Sequence, residues 1–212
     1  MHFIMLYDVN IDTFILGLMV FIIAQLEILK EKLTNITPHF NDEAKQSVNI
    51  NKPQRDEMFL LKLNKAVIHY HEVTKFCCLV EEVFSISLFA QFGMASGIIC
   101  ICLFRFTMPA PWQYYIFLAT YITVMVVQIM VPSWFGTRIM EKSCALSHAI
   151  YSCDWTPRSK EFKSSMRLFV ERANRPLSIT GWKMFPLSLT TFTSIMNSAY
   201  SFYTLLRHMQ SR

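Results

Sequence analysis

A stripe of uncharged polar side chains near the C-terminus is the part of the sequence best suited to chemistry. It lies within residues 185–206, which carry no charge over 22 positions and are long enough to cross a bilayer as a helix. The stripe has six members at intervals of four, three, four, three and four residues: Thr190, Ser194, Asn197, Ser201, Thr204 and His208. This spacing places all six on one face of a helix.

Two uses of such a face stay open on spacing alone. Hydroxyl residues pack membrane helices closely and form hydrogen bonds between them. Uncharged polar side chains on one side of a membrane span also suit a water-filled ion path. The stripe has no carboxylate, so it cannot by itself select among cations.

The other reactive side chains do not predict an enzyme. His69 and His71 are two residues apart and cannot share a helical face as metal ligands. Glu81 and Glu82 diverge by about 100° on a helix, and His148 stands alone. The six cysteines have no zinc-site spacing. We therefore expect no catalytic residue, no metal and no cofactor.

The elements that carry the stripe are membrane spans. The chain has 212 residues, of which 53% are hydrophobic, and this composition indicates a membrane protein. Four apolar windows cover residues 11–29, 83–104, 110–135 and 184–206. The first has Asp12 at one end and Gln25 and Glu27 at the other. The predicted fold class is all-α, a polytopic membrane protein with four transmembrane helices and long cytoplasmic helical extensions.

Basic residues predict the orientation, because Lys and Arg accumulate in cytoplasmic loops. Residues 30–82 carry eight of the 20 Lys and Arg and residues 136–183 carry nine, so both loops are expected in the cytosol. Residues 105–109 then form an outer turn and residues 207–212 an outer tail. Residues 1–29 hold an outer N-terminal end and the first span. An outer start with no signal-like segment leads us to expect upstream sequence, and we expect no nucleic-acid partner.

The cytoplasmic loops carry helical patterns of their own. Apolar residues recur at helical spacing from Phe59 to Phe76 and run without a breaker into the second span. A further helix is predicted from Arg158 to Ala173, with one apolar side formed by Phe162, Met166, Phe169, Val170 and Ala173. Such faces need one another for burial, which predicts a compact cytosolic helical module.

Several short stretches resemble the C-terminal half of an insect odorant receptor. They lie mainly between residues 151 and 206, and His69-Tyr70-His71 fits the same family. They include Ala149-Ile150-Tyr151 with Trp155, then Arg175-Pro176-Leu177, then Phe185-Pro186-Leu187-Ser188-Leu189, and Tyr200-Ser201-Phe202 with Leu205. The tail pattern is the more specific part.

The resemblance implies a partial seven-helix odorant receptor fold in the plasma membrane, with the four windows as family spans 4 to 7 and an extracellular C-terminus. In that family, odorant-specific subunits and a shared co-receptor form tetrameric cation channels opened by small volatile organic ligands. The last span lines the pore. The implied pore-facing positions are Ser201, Leu205, His208 and Met209, with Leu205 and Met209 nearest a hydrophobic gate.

The resemblance also implies an odorant pocket. The family's first three spans, which contribute much of that pocket, are not in this chain. The remaining candidates lie on the first and third windows: Phe14, Met19, Phe21, Tyr114, Tyr115, Phe117 and Tyr121.

Two other classes of protein share some of these features. A four-span structural or scaffold protein such as a tetraspanin needs cytoplasmic termini and a Cys-rich outer loop, whereas Cys77-Cys78 falls in a basic inner loop here. A fragment of another seven-span receptor, of the G-protein-coupled type, would place the C-terminus inside. The accessibility of a tag after Arg212 on intact cells separates these alternatives from an odorant receptor.

Overall fold

The computed structural model of the protein describes residues 2–36, 52–153 and 155–210. Most of this part of the chain is helical, and a two-residue antiparallel pair of strands joins the last two helices. In chain order the elements are α1 (His2–Thr34), α2 (Lys52–Arg105), α3 (Trp112–Tyr151), α4 (Lys160–Ala173), β1 (Thr180–Gly181), β2 (Phe185–Pro186) and α5 (Leu189–Gln210). Residues 211 and 212 of the predicted outer tail lie outside the described residues.

The chain forms two compact units, and the three long helices contribute to both. The first unit contains Met1–Leu16, Val80–Thr137 and Ser178–Arg212, and so includes the strands and α5. The second unit contains Gly17–Leu79 and Arg138–Leu177, and so includes α4.

Three helices are long and apolar enough to cross a membrane within the described residues, where the sequence predicted four. They occupy Asn10–Thr34, Arg55–Arg105 and Trp112–Tyr151. Helix α5, with 22 residues, has the length of a span. Its Ser, Thr and Asn residues lower its mean hydropathy, which explains why it does not stand out by composition.

Helix α4 gives the second unit much of its core. Its apolar side is buried along its whole length, at Phe162, Met166, Phe169, Val170 and Ala173, as the spacing predicted. Ser159 caps its first turn by accepting a hydrogen bond from the backbone N–H of Phe162 at 3.3 Å. The ring of Phe169 meets that of Tyr70 from α2 edge to face, with centroids 5.4 Å apart.

The strands are the main departure from the helical pattern. The fourth apolar window begins at residue 184, whereas α5 begins at Leu189. Phe185 and Pro186 instead pair with Thr180 and Gly181. Trp182 and Lys183 turn the chain with φ of 45° and 57°, a left-handed conformation that non-glycine residues seldom adopt.

Candidate pore helix and polar groups inside the helices

As far as Ala199, helix α5 has one packed side and one open side; beyond it, Phe202 on the apolar side is 60% exposed. Ala199 is 1% exposed, and Phe192, Ile195 and Met196 on the same side are half-buried. The stripe residues lie on the other side and are exposed along the whole series: Thr190, Ser194, Asn197, Ser201, Thr204 and His208. The polar face is therefore turned away from the packing within the chain.

The hydroxyls on and beside this open face bond to their own helix. Ser198 donates to the carbonyl oxygen of Ser194, and Ser201 to that of Asn197, both at 2.9 Å. Thr204 donates to the carbonyl of Ser201 at 2.8 Å. These donors are satisfied without a second helix, so the face can meet water without leaving a hydroxyl proton unpaired.

Large apolar side chains lie on the open C-terminal half of α5. Leu205 is 55% exposed and Met209 is 67% exposed. Ser201 and His208 are exposed in the same part of the helix. The four positions predicted to face a pore are therefore all on open parts of α5.

The start of α5 is fixed by a cap and by α3. The Ser188 hydroxyl, buried at 3% exposure, accepts from the backbone N–H of Thr191 at 3.1 Å. The Thr137 hydroxyl of α3 accepts from the N–H of Leu189 at 2.9 Å. These bonds satisfy backbone donors that a helix N-terminus leaves without partners. The bond to Thr137 fixes the first turn of α5 against α3.

The pocket candidates on α1 fall in different units. Phe14 belongs to the first unit, where its ring meets that of Phe84 edge to face with centroids 6.1 Å apart. Met19 and Phe21 belong to the second, where Met19 is fully buried and Phe21 packs edge to face on Phe76 at 5.5 Å.

The pocket candidates on α3 lie near its first turns, in the first unit. The Tyr115 hydroxyl donates to the carbonyl oxygen of Met108 at 2.7 Å and accepts from the N–H of Ala110. Phe117 and Tyr121 stack one turn apart with centroids 6.3 Å apart, and Tyr114 is partly exposed. Tyr115 therefore closes the preceding turn, whereas the other three rings form an aromatic surface on the helix.

One polar cluster inside the first unit was missed by sequence reasoning. Asp12 of α1 accepts hydrogen bonds from the amide nitrogens of Gln91 on α2 and Gln128 on α3. Gln91 Nε2 lies 3.1 Å from both carboxylate oxygens, and Gln128 Nε2 lies 3.1 Å from Oδ2. All three are polar residues within apolar windows, and this shared feature is the one sign of the cluster in the sequence. Linear spacing could not show that they meet.

His69 of α2 contacts two polar side chains of α1. Its Nε2 lies 3.0 Å from the Gln25 side-chain oxygen, and its Nδ1 lies 3.5 Å from Lys32 Nζ. Across the parts of the chain that the structure describes, no group of three His, Cys, Asp or Glu side chains could hold a metal ion.

Comparison with known protein families and sequences gives consistent matches. The family model of the 7tm odorant receptor matches residues 1–200. Odorant receptor 67c of Drosophila melanogaster is 28% identical over 211 residues, covering 97% of this chain and 50% of the relative. Odorant receptor Or2 of Anopheles gambiae is 26% identical over 193 residues, covering 89% and 48%. The chain spans about half the length of these curated relatives.

Comparison with solved structures identifies the same fold. The insect olfactory receptor OR5 of Machilis hrabei, in complex with eugenol, superposes with a TM-score of 0.75 at 19% identity. The match covers 93% of this chain and 47% of the receptor. A second structure of OR5 superposes with a TM-score of 0.72 at 21% identity, covering 92% of this chain and 46% of the receptor.

Proposed function

The chain belongs to the 7tm odorant receptor family, a family of multi-pass membrane proteins, and we propose that it serves as part of an odorant-gated cation channel. In this proposal it assembles with a shared co-receptor into a hetero-tetramer, and a small volatile organic molecule opens the channel. The proposal concerns the whole receptor. This chain spans about half the length of its curated relatives.

The observation that carries the proposal is the open polar face of α5. A helix that used its hydroxyls to pack within the chain would bury them, whereas here the buried side is the one with Ala199. Ser198, Ser201 and Thr204 donate to carbonyl oxygens of their own helix, and their hydroxyl oxygens can still accept hydrogen bonds from water. Such a face suits a water-filled path shared with neighbouring subunits.

The gate of the proposed channel lies near the C-terminal end of α5. Leu205 and Met209 are large, apolar and exposed, and a ring of such side chains can close a pore by excluding water. Leu205→Ser should therefore raise the resting current when the receptor is co-expressed with the co-receptor. Leu206→Ser, on a neighbouring face of the same turn, is the matched control. An unchanged resting current for Leu205→Ser at normal surface expression would contradict this gate.

The proposed orientation places residues 30–82 and 136–183 in the cytosol and the C-terminus outside the plasma membrane. Seventeen of the 20 Lys and Arg lie in those two segments, and such an excess marks the cytoplasmic side. An epitope tag after Arg212 should be labelled on intact cells. Labelling only after permeabilisation would overturn the orientation.

The proposed odorant pocket uses aromatic residues in the first unit. Phe14 and Tyr114, Phe117 and Tyr121 on α3 offer the apolar surface that small-molecule sites use. The other two predicted positions, Met19 and Phe21, pack in the second unit.

Electrophysiology tests the function as a whole. The receptor and the co-receptor are expressed together, and currents are recorded across a broad panel of volatile compounds. An odorant-evoked cation current that requires both subunits is the expected result. Silence across the panel, despite surface expression of both subunits, would contradict the proposed function.

A further inference from the structure

Asp12 lies in a membrane span, where a carboxylate is unfavourable in free energy. It sits within the candidate span Asn10–Thr34, and both of its glutamine partners lie within apolar windows of other helices. Charged side chains within membrane spans are rare, face the interior of a helix bundle and mark functional sites. Gln91 and Gln128 direct donors at this carboxylate, so three helices converge on one acceptor group.

A cavity opens beside this cluster in the first unit. Its volume is about 160 Å³, and Asp12, Gln91 and Gln128 all line it. The rest of the lining is apolar: Ile15, Leu16, Leu88, Val127, Val131 and Pro132. One water needs only about 10–15 Å³ on a comparable measure, so the space suits an organic molecule of a few heavy atoms. Convergent polar groups in an apolar cavity are the usual form of a small-molecule site.

We propose that this cavity binds a small protonated alkylamine, whose ammonium group donates to the Asp12 carboxylate while its alkyl tail packs against Leu88 and Val131. The amide oxygens of Gln91 and Gln128 accept further donors of the same head group. The site is distinct from the aromatic candidates on α3, because its lining comes from other residues of α1, α2 and α3. It rests on the proposed odorant-receptor function and names a ligand class for it.

The chemistry of the lining favours an amine over other small volatile molecules. An ionised carboxylate is an acceptor only, and an ammonium group is a donor only, with three N–H groups. An alcohol offers one donor and no charge, while an ether or ester offers no donor. A ligand without a donor would meet the carboxylate with acceptor atoms only and would form no hydrogen bond with it. Hydrogen bonds between charged groups are also about twice as strong as neutral ones.

Binding is measured directly, without channel activity. The full chain is reconstituted in nanodiscs, and affinities are determined by saturation-transfer NMR at pH 7. The probes are n-butylamine, 1-butanol and methyl propyl ether, which have equal numbers of heavy atoms. Nanodiscs without protein report the partition of each probe into lipid. We expect butylamine to bind at least about tenfold more tightly than the ether, a difference of about 1.4 kcal/mol.

Two variants test the two halves of the site. Asp12→Asn removes the charge, and should weaken butylamine binding about tenfold or more while changing butanol binding by less than about threefold. Val131→Phe fills the cavity without altering the carboxylate, and should weaken both probes. Met130→Phe is the matched control, because Met130 is the preceding residue on α3 and is 40% exposed; it should leave both affinities unchanged.

Three results would each overturn the proposal. They are equal affinity of wild type for butylamine and the ether, full butylamine affinity in a folded Asp12→Asn variant, and full butylamine affinity in Val131→Phe. If Asp12→Asn does not fold, the wild-type affinities for butylamine and the ether still test the preference for an amine, and Val131→Phe with its control still tests the cavity. Because the readout is binding, loss of odorant-evoked current would count against the proposed function and not against this site.

Discussion

Gly136 of α3 lies against the backbone of Leu187 so closely that a Cβ atom at position 136 would come within 2.1 Å of the Leu187 carbonyl oxygen. Leu187 precedes the cap of α5 and donates its N–H to the carbonyl of Ile179 at 2.7 Å. The next residue of α3, Thr137, accepts the N–H of Leu189. Helix α5 is therefore positioned by two consecutive residues of α3, one through its missing side chain and one through its hydroxyl.

Gly136→Ala should destabilise the receptor by displacing the start of α5. The obstacle is backbone, which cannot move aside as a side chain can, and overpacking of this kind costs about 1–3 kcal/mol. Thermal unfolding in detergent, followed by tryptophan fluorescence, measures the change. Gly97→Ala on α2 is the matched control, because a Cβ there has nothing within 4 Å. Equal unfolding temperatures for the two variants would argue against a tight junction at Gly136.

The two glutamines that hold Asp12 should depend on each other. Gln91→Leu or Gln128→Leu alone removes one donor and leaves the other, so each should cost about 0.5–2 kcal/mol. The double variant removes both glutamine donors from one carboxylate, and should cost more than the sum of the single changes, by about 0.5–3 kcal/mol.

Thermal unfolding of the four proteins in this double-mutant cycle checks the coupling of Gln91 and Gln128. Gln113→Leu, at an exposed position in the first turn of α3, is the control and should have little effect. Strictly additive losses would indicate that the two glutamines act separately.

The second unit should depend on Arg158 more than on an exposed arginine. The Arg158 guanidinium lies 4.0 Å from the centroid of the Phe59 ring, and its Nη1 lies 3.8 Å from Asp56 Oδ1. The side chains of Arg158 and Asp56 are only 13% and 19% exposed. Arg158→Ala therefore removes packing and charge compensation together, and should cost about 1–3 kcal/mol.

Arg138→Ala is the comparison for Arg158. Its pair with Glu141 has side-chain exposures of 48% and 55%, and exposed pairs contribute about 0–1 kcal/mol. The free energy of unfolding of each variant, measured in urea or guanidinium, gives the loss of stability to be compared. An equal loss of unfolding free energy for the two variants would show that the pair of Arg158 with Asp56 stabilises the protein no more than an exposed pair does.

Local periodicity was sufficient to predict the helices of the second unit. The apolar spacing of Phe162, Met166 and Phe169 predicted which side of α4 is buried, because a helix repeats every 3.6 residues whatever it packs on. The run from Phe59 to Phe76 likewise lies in one helix with the apolar window that follows it.

The strands between α4 and α5 were beyond such reasoning. Residues 184–206 look like one uninterrupted apolar segment, but Trp182 and Lys183 adopt positive φ without a glycine to signal it. The pairing that follows consists of two residues on each side, too short for an alternating pattern to appear.

The Asp12 cluster marks a second limit. In the sequence, each of these residues is a single polar position in an apolar window. The sequence does not relate them to one another, because 79 residues separate Asp12 from Gln91 and 116 separate it from Gln128. Only the packing of three helices brings these side chains within hydrogen-bond distance.

The polar face of α5 is a different case. The spacing of its residues predicted the stripe, but did not determine whether the stripe packs on another helix or meets water.

The most direct measurement of the central claim is cysteine accessibility on α5. Ser201→Cys and Ala199→Cys are each co-expressed with the co-receptor, and a membrane-impermeant thiol reagent is applied from outside while odorant-evoked current is recorded. Ser201 is on the open polar face, and Ala199, two residues away, is 1% exposed. The unsubstituted chain corrects for its own six cysteines. We predict that the reagent blocks current through Ser201→Cys and spares Ala199→Cys. Block of Ala199→Cys with sparing of Ser201→Cys would contradict a pore lined by this face.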